Sequence, residues 1–180
     1  INQAKLRISS LLRGSRIPVT TKLVNCHSIV IGKNCIIGPY SFLKGGKDSQ
    51  NRLIIGDNVL ISYHAYLSSS GAAVRIDSNS GIGHYVWIGG KGSIRIKENV
   101  MIGMHTVIIS SNHDYQYITT PFYRGVEIAE EIIVGKNAWV GANCVILPGV
   151  VIEEGAVIGA GSVVTRSIGP NCLAVGNPAT

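Results

Sequence analysis

One histidine in this sequence stands apart from its surroundings. His113 lies in the segment SSNHDY, inside the stretch IISSNHDYQYITTPFYRGVEIAEE at residues 108–131. An imidazole is largely neutral near pH 7 and can accept a proton from a reacting group, an effect typically worth about 10²–10⁴ in rate. Such a base works best when a carboxylate or carbonyl holds its other nitrogen. Four acidic residues could do this: Asp114, Glu127, Glu130 and Glu131.

The elements that must position this histidine follow a six-residue repeat. Nine of fourteen second positions are glycine, and eight of the fourth positions are Asn or Gly, which tolerate positive φ. The fifth positions are mostly small or β-branched and suit a filled interior. The fourteen aliphatic first positions are Ile31, Ile37, Ile55, Ile61, Ile82, Ile88, Ile96, Ile102, Val134, Val140, Ile146, Ile152, Ile158 and Val164.

A short strand and a turn repeated every six residues predict an all-β fold. Three such strands close one triangular coil, and stacked coils bury a column of Ile and Val, each worth roughly 1.5–3 kcal/mol of transfer free energy. Parallel strands of successive coils then satisfy one another's backbone groups. The fold class predicted is a parallel β-helix, a hexapeptide-repeat solenoid with one long extruded loop.

His113 lies where the repeat is interrupted. The register of first positions changes between Ile108 and Val134, which indicates an insertion of about twenty residues. We place this loop at about residues 110–127. A loop that leaves a smooth solenoid wall can fold over a groove and build a pocket. Four aromatic residues in the loop indicate that it packs against something: Tyr115, Tyr117, Phe122 and Tyr123.

Charged residues are distributed unevenly along the chain. The net charge is +6, and residues 1–47 carry eight Lys or Arg and no acid. This asymmetry favours an anionic partner such as an acidic glycan or a membrane surface, although a solvated basic face explains it equally well. We divide the chain into an N-terminal basic segment at 1–22, a short helix or extended arm, and a β-helix domain at 23–180. We expect no nucleic-acid partner, but peripheral membrane association through the basic segment remains open.

The other histidines and both tryptophans have places in the repeat. His64 and His105 occupy fourth positions and are interpreted as turn residues, whereas His84 is an outward third-position residue that could reach a ligand. Trp87 and Trp139 occupy sixth positions, whose side chains point outward. An outward apolar column predicts contact between subunits.

The four cysteines give no sign of a metal site or a disulfide framework. Cys35 and Cys144 occupy inward fifth positions, and Cys26 and Cys172 lack metal-ligand spacing. No apolar run approaches the ~18 residues of a membrane span. We therefore expect reduced thiols and a cytoplasmic protein.

Several motifs together resemble a known family. The units of Ile or Val, Gly, any residue and Asn, the loop with His113 and the ending VGNPA at 175–179 resemble hexapeptide-repeat acyltransferases. The segment IVGKNAWVGANCVILPGVVIEEGAVIGAGSVVTRSI is similar to galactoside, maltose and bacterial capsule O-acetyltransferases. The resemblance is specific over about residues 96–180. It implies a left-handed β-helix, a homotrimer with active sites in the grooves between subunits, acetyl-CoA as co-substrate and no metal.

The resemblance also implies roles for individual residues. In the family a histidine at this point of the loop is the catalytic base, which implies that role for His113. The tryptophan that Trp139 matches lines the acetyl-CoA site. Residues near the pantetheine arm and the nucleotide phosphates would be Gly141, Ala142, Ala160, Thr165 and Arg166.

The region expected to bind the acceptor differs from that of the galactoside enzymes. Those enzymes carry an Asn and an acidic residue in the coil before IKENVMIG. Here that region reads GIGHYVWIGGKGS, which predicts an aromatic platform for the acceptor. Our hypothesis is that the acceptor is a different, acidic sugar. The candidate acceptor-binding residues are His84, Tyr85, Trp87, Lys91, Asp114, Tyr115 and Tyr123.

The predicted function is transfer of an acetyl group from acetyl-CoA to a hydroxyl of a surface or capsular glycan or its precursor. His113 would act as general base, and transfer would be direct, without an acyl-enzyme. The alternative within enzymes is N-acetylation of an amino-sugar. Two rivals from other classes stay open: a zinc-dependent carbonic-anhydrase-like β-helix, using His84, His105 and His113, and a non-catalytic trimer scaffold.

Overall fold

Short parallel strands stacked in three columns form most of this protein. The computed structural model describes residues 14–48, 50–114, 121 and 125–180. The chain runs from face 1 to face 2 to face 3 and returns to face 1, so each circuit is one coil of a solenoid. A single 3₁₀ turn, Cys26–Ser28, precedes the first strand of face 1.

Each face is a parallel sheet. Face 1 contains β2 (Ile29–Ile31), β5 (Leu53–Ile55), β8 (Val74–Ile76), β11 (Ile94–Ile96), β16 (Ile132–Val134) and β19 (Val151–Ile152). Face 2 contains β3 (Ile36–Ile37), β6 (Leu60–Ile61), β9 (Gly81–Ile82), β12 (Met101–Ile102), β17 (Trp139–Val140), β20 (Val157–Ile158) and β22 (Leu173–Ala174). Face 3 contains β1 (Lys22–Val24), β4 (Phe42–Lys44), β7 (Tyr66–Ser68), β10 (Trp87–Gly89), β13 (Val107–Ile109), β18 (Val145–Ile146) and β21 (Val163–Val164). These three sheets confirm the predicted parallel β-helix.

The repeat chemistry explains the shape of each coil. First-position residues such as Ile82, Ile102 and Val140 are buried, and the small fifth-position residues Ala138 and Cys144 are buried beside them. Because successive coils place these residues one above another, they form one continuous hydrophobic core.

Left-handed backbone at the fourth positions makes the corners. Asn34, Asn58 and Asn99 have φ values of 55°, 56° and 59°, and His64 and His105 share this conformation at 57° and 59°. Asn and His tolerate it better than most residues do. The interpretation of His64 and His105 as turn residues is therefore confirmed.

The corner between face 3 and face 1 is the variable one. In the last coils, Ile133 pairs with Val151 three hexapeptides further on, without any extra residues. Every earlier coil adds residues here, and the largest addition follows β13. It begins and ends with an antiparallel pair, β14 (Ser111–His113) and β15 (Glu127–Ala129). The structure thus confirms a long insertion at the predicted place.

Part of the predicted N-terminal segment joins the solenoid. Arg16 forms a parallel bridge with Ile36, and β1 pairs with β4. The Ser15 hydroxyl donates to the Gly32 carbonyl at 2.8 Å and accepts the Cys35 N–H at 2.8 Å. Residues 1–13 lie outside the described residues, so the proposed division at 22 stays a prediction. No helix in the described part of the chain is long and apolar enough to cross a membrane.

Candidate active site

The base of the long loop presents His113 on a short antiparallel hairpin. In the register of β14 and β15, His113 lies opposite Glu127. The N–H of Asp114 donates to the carbonyl of Val126 at 2.9 Å, and the N–H of His113 donates to Oδ1 of Asn112. This pairing fixes the backbone that carries the imidazole.

Ser110 anchors the hairpin to the preceding coil. Its hydroxyl lies 2.6 Å from the carbonyl of Gly92 and 3.2 Å from that of Gly89, and its own carbonyl accepts the Glu130 N–H. Gly90 has φ +128°, and a Cβ there would overlap the Ser110 hydroxyl. Only glycine has both this φ value and no Cβ, so residue 90 must be glycine. The GGKGS sequence therefore forms the surface on which the base of the loop packs.

Lys91 forms an ion pair with Glu127, the residue opposite His113 in the hairpin. Lys91 Nζ lies 2.8 Å from Glu127 Oε1, with the Lys91 side chain 59% exposed and that of Glu127 24% exposed. The hydrogen bond from Lys91 is the largest cause that holds the pKa of Glu127 below its ordinary value of 4.5. Partial burial opposes this shift, and the electrostatic interactions of the carboxylate with Lys91 and His113 add to it. Lys91 was predicted to bind an acceptor, but here its charge is engaged by Glu127.

We expect Glu127→Gln to lower the melting temperature at about pH 7 and to make a smaller difference at about pH 3. Because the folded-state pKa of Glu127 is lowered, its stabilising effect is present above the ordinary carboxyl value. The effect disappears as the pH falls through the lowered value. Thermal unfolding at the two pH values measures this, with the exposed Glu98→Gln as control. An equal gap at both pH values would contradict the assignment.

The ring nitrogens of two histidines have unusual surroundings. Across the described residues, two buried side-chain nitrogen or oxygen atoms lack a hydrogen-bond partner, Nδ1 of His84 and Nδ1 of His113. Buried polar atoms are nearly always partnered, so each exception calls for a physical reason. In both rings, Nε2 is the nitrogen available to a ligand.

A groove of about 690 Å³ runs along face 2, beside the corner that leads to face 3. Second-position glycines of successive coils form one wall of the groove: Gly83, Gly103, Gly141 and Gly159. Outward side chains form its floor, among them Met101, Val157 and the half-exposed Trp139. A Cβ on Gly83, Gly103 or Gly141 would overlap the backbone of the next coil, so glycine is needed here for the close stacking of the coils.

The structure brings together five of the predicted residues. Trp139, Gly141, Ala142 and Ala160 line the groove, and His84 joins them from an earlier coil. The sequence reasoning missed other lining residues, including Leu60, Ser62, Gly81 and Leu173. Second-position glycines were a usable signal for the wall. The residues of the groove floor were not predictable, because the sequence does not give the register of strands in successive coils.

Other predicted residues lie elsewhere. Thr165 and Arg166 are exposed and follow β21, at the corner between face 3 and face 1. Tyr85 has φ +56° and stacks between His64 and His105 in a column of corner rings. Predicted loop residues Tyr115 and Tyr123 fall outside the described residues.

The two tryptophans point outward on different faces. Trp87 extends a stack of rings on face 3, with Tyr66 at 5.6 Å and Phe42 beyond it at 5.0 Å from Tyr66. Trp139 is on face 2, in the groove. The outward column predicted for the sixth positions therefore divides into separate columns.

The described residues do not assemble a set of metal-binding groups. Among residues 14–48, 50–114, 121 and 125–180, no three His, Cys, Asp or Glu side chains lie close enough to hold an ion. His84 and His105 are at the corner between faces 2 and 3, whereas His113 is at the corner between faces 3 and 1.

Comparison with known proteins decides what kind of repeat this is. Residues 131–166 match the family described as "Bacterial transferase hexapeptide (six repeats)". Over these residues the chain carries repeats of that kind. The match covers β16 to β21, the part in which the six-residue spacing is uninterrupted.

Proteins similar to this chain carry acetyltransferase names. A protein so named from Dictyostelium discoideum is 45% identical over 86 residues, which is 48% of this chain and 44% of that protein. One from Saccharomyces cerevisiae is 34% identical over 122 residues, 68% of this chain and 61% of that protein. The chain therefore spans less than two thirds of the length of these relatives.

Solved structures share the fold. The N-acyltransferase AntD from Bacillus cereus, in complex with dTDP and 3-hydroxybutyryl-CoA, superposes with a TM-score of 0.66 at 24% identity, covering 100% of this chain and 86% of AntD. A maltose O-acetyltransferase from Clostridium difficile gives 0.52 at 26% identity, covering 98% and 72%. The predicted left-handed β-helix is thereby confirmed.

The groove and His113 do not meet within one hexapeptide-repeat chain. The groove occupies face 2 and its corner with face 3. His113 leaves the far edge of face 3, on the loop that leads to face 1. Face 3 therefore separates the two features.

Proposed function

We propose that this chain is an acetyltransferase that moves the acetyl group of acetyl-CoA to a hydroxyl of a sugar. The observation that carries this is the face 2 groove, with its apolar floor and its wall of stacked glycines. It is long enough to span coils from Leu60 to Leu173, as an extended cofactor arm would need.

Acetyl-CoA fits the chemistry of the groove. Its pantetheine arm is slender and flexible, and small residues such as Gly141, Ala142 and Ala160 let it lie against the wall. Trp139 offers a flat apolar surface beside them. AntD, which has the same fold, was solved with 3-hydroxybutyryl-CoA or with coenzyme A, and this supports a CoA thioester here.

His113 is proposed as the general base, acting through Nε2. As the sugar hydroxyl attacks the thioester carbonyl, its proton passes to Nε2. The tetrahedral intermediate then collapses, the C–S bond breaks, and the CoA sulfur leaves as a thiol with that proton. No protein nucleophile is needed, because the thioester is already activated.

Among the four acidic candidates, Glu127 is the one that pairs with His113 in the register of the hairpin. No described group hydrogen-bonds Nδ1 of His113, so we propose that Glu127 acts on His113 through its charge and not by holding that nitrogen. Glu131 is held instead by the Ser93 hydroxyl at 2.6 Å and by Arg95 at 2.8 Å. Lys91 fixes the Glu127 carboxylate, so we assign it a positioning role.

The proposal requires a homotrimer in which the His113 loop of one copy reaches the groove of the next. Separation of the two features by face 3 supports this, because one chain alone cannot assemble them. Thr165 and Arg166 lie at the same corner as the loop, so they too would approach a neighbour's groove. An arginine there suits the CoA phosphates.

N-acylation of an amino-sugar is the second candidate. AntD is an N-acyltransferase and has been solved with dTDP-4-amino-4,6-dideoxyglucose, whereas the other solved relative acts on maltose oxygen. An imidazole base serves an amine as well as a hydroxyl. The predictions of an acidic sugar, a cytoplasmic location and membrane association through residues 1–22 stay predictions.

Incubation with acetyl-CoA and a panel of acceptors tests the proposal. The panel contains maltose, glucuronic acid, N-acetylneuraminic acid and a nucleotide-linked amino-sugar, and mass spectrometry measures the gain of one acetyl group. Acetylation of a sugar that has no amine supports O-transfer, whereas acetylation of the amino-sugar alone favours the second candidate. Stoichiometric zinc in the purified protein, or lack of acetyl-CoA binding by calorimetry, would favour the two rivals.

A further inference from the structure

Two neighbouring coils place an arginine at the same outward position on face 1. The register pairs Arg75 of β8 with Arg95 of β11. In the other four strands of this face the same position is apolar, and its residues are Val30, Ile54, Ile133 and Val151. Face 1 is therefore a sheet with an apolar outward column and two adjacent cations in its middle.

The next outward position differs from the repeat in the same two coils. Asp77 and Lys97 occupy it there, whereas three of the other coils have a second-position glycine, namely Gly32, Gly56 and Gly135. Four charged side chains therefore rise from a wall that is otherwise smooth.

These side chains line a pocket of about 460 Å³ on face 1. Three of the four charged lining residues are cations, Arg75, Arg95 and Lys97, so the lining carries a net charge of +2. The pocket shares no lining residue with the groove on face 2. It is a separate feature of the molecule, with the opposite chemical character.

The two arginines are held in place by their Nε atoms. Neighbouring strands are about 4.8 Å apart, so two like charges in register repel each other. Nε of Arg75 contacts Oδ1 of Asp77, and Nε of Arg95 lies 2.8 Å from Oε1 of Glu131. These contacts leave the terminal Nη donors of both guanidinium groups for another partner.

Lys97 adds a third cation to the pocket. It is half-buried and has no ion-pair partner among the described residues. The carboxylate of Asp77, the other charged group at this level, is engaged by Arg75. The pocket therefore presents two guanidinium groups and one ammonium group, a combination suited to an anion with several acceptor oxygens.

We propose that this pocket binds a phosphate monoester. A phosphate group has three terminal oxygens, so it can accept hydrogen bonds from both guanidinium groups and from Nζ of Lys97 at once. A carboxylate has two oxygens in one plane and matches a single guanidinium. The pair of arginines with a lysine therefore favours phosphate over a uronic or sialic acid. This inference does not rest on the proposed function.

The size of the pocket points to a phosphate carried by a larger molecule. Small-molecule sites have volumes of about 300–1,000 Å³, and this pocket of about 460 Å³ falls in that range. Ile54 and Ala73 offer apolar contacts beside the cations, and Ser93 offers a hydroxyl. We therefore expect a soluble ester such as a sugar phosphate.

Lys97→Gln tests the site without leaving a carboxylate unpaired. The double variant Arg75→Gln and Arg95→Gln removes the two guanidinium groups, and its amides keep donors for the two carboxylates. Lys33→Gln is the matched control, because Lys33 is an exposed lysine at the corner between face 1 and face 2 and does not line the pocket. Thermal unfolding checks that each variant is folded at the temperature of the binding measurement.

Calorimetric titration with glucose 6-phosphate measures the affinity, in a phosphate-free buffer of low ionic strength because salt screens exposed charges. We expect the wild type to bind, Lys97→Gln to bind about tenfold more weakly, and the double variant at least about 100-fold more weakly. Lys33→Gln should match the wild type. Glucuronic acid should bind the wild type at least about tenfold more weakly than glucose 6-phosphate does.

Three results would overturn the inference. The first is no binding of glucose 6-phosphate to the wild type, or equal binding by Lys97→Gln and the double variant. The second is equal affinity for glucuronic acid, which would remove the preference for phosphate. The third is a matching fall in acetyl-CoA affinity in the same variants, which would assign the pocket to the cofactor.

Vesicles distinguish a soluble ester from a lipid headgroup. A soluble ester predicts that phosphatidylcholine vesicles containing phosphatidic acid do not sediment the protein. Sedimentation that is lost in Lys97→Gln, together with no binding of glucose 6-phosphate, would overturn the assignment to a soluble ester.

Discussion

His113→Ala is expected to lower kcat by about 10²–10⁴-fold, with little change in acetyl-CoA affinity or melting temperature. The imidazole is the group proposed to take the proton of the attacking hydroxyl, so its loss should slow the chemical step. The side chain is partly exposed at the base of a loop, outside the solenoid core, so its removal should not unfold the coils. Steady-state kinetics with saturating acetyl-CoA measure the effect.

Asn112→Ala is the matched control for His113→Ala. Asn112 is the exposed neighbour of His113 on β14, and among the described residues its side chain accepts the local N–H of His113. We expect kcat to change less than about threefold in this variant, since it keeps the imidazole. A His113→Ala enzyme that retains wild-type turnover would remove His113 from the mechanism.

A bulky substitution in the groove should weaken acetyl-CoA binding by a factor similar to the fall in kcat expected for His113→Ala. Ala160→Trp places a large ring where the pantetheine arm is proposed to lie, and we expect acetyl-CoA affinity to fall by at least about 100-fold. Ala160 is exposed at a corner, so the new side chain need not disturb the core. Calorimetric titration with acetyl-CoA measures the loss.

Lys136→Trp is the control for a bulky residue at a corner. Lys136 is also an exposed third-position residue, but it lies at the corner between face 1 and face 2, away from the groove. Its variant should bind acetyl-CoA like the wild type. Equal binding by both tryptophan variants would show that the cofactor does not use this groove.

The repeat allowed most of the fold to be predicted. Two local signals carry the prediction: an aliphatic residue every six positions, and Asn or Gly at the corners. Each signal predicts the same local structure in every coil. One of the hexapeptides that were missed is IDSNSG from Ile76, although Ile76 is buried and Asn79 has φ +60°. Its outward residue is Gly81, which breaks the apolar pattern that marks the sixth position.

Features that join different coils could not be predicted. The corners between face 3 and face 1 vary in length, so the sequence does not specify which sixth-position residues become neighbours. The pairing of Lys91 with Glu127, across the long insertion, depends on this corner. For the same reason Trp87 and Trp139 were grouped together, although they belong to different faces.

The central claim is that each active site combines His113 of one copy with the groove of another. Co-expression of His113→Ala and Ala160→Trp chains tests it directly, because each variant supplies what the other lacks. In randomly mixed trimers about a quarter of the sites would contain both intact halves, so the account predicts roughly a quarter of wild-type activity from two variants that are each inactive. Mixed trimers no more active than either variant alone would contradict the account.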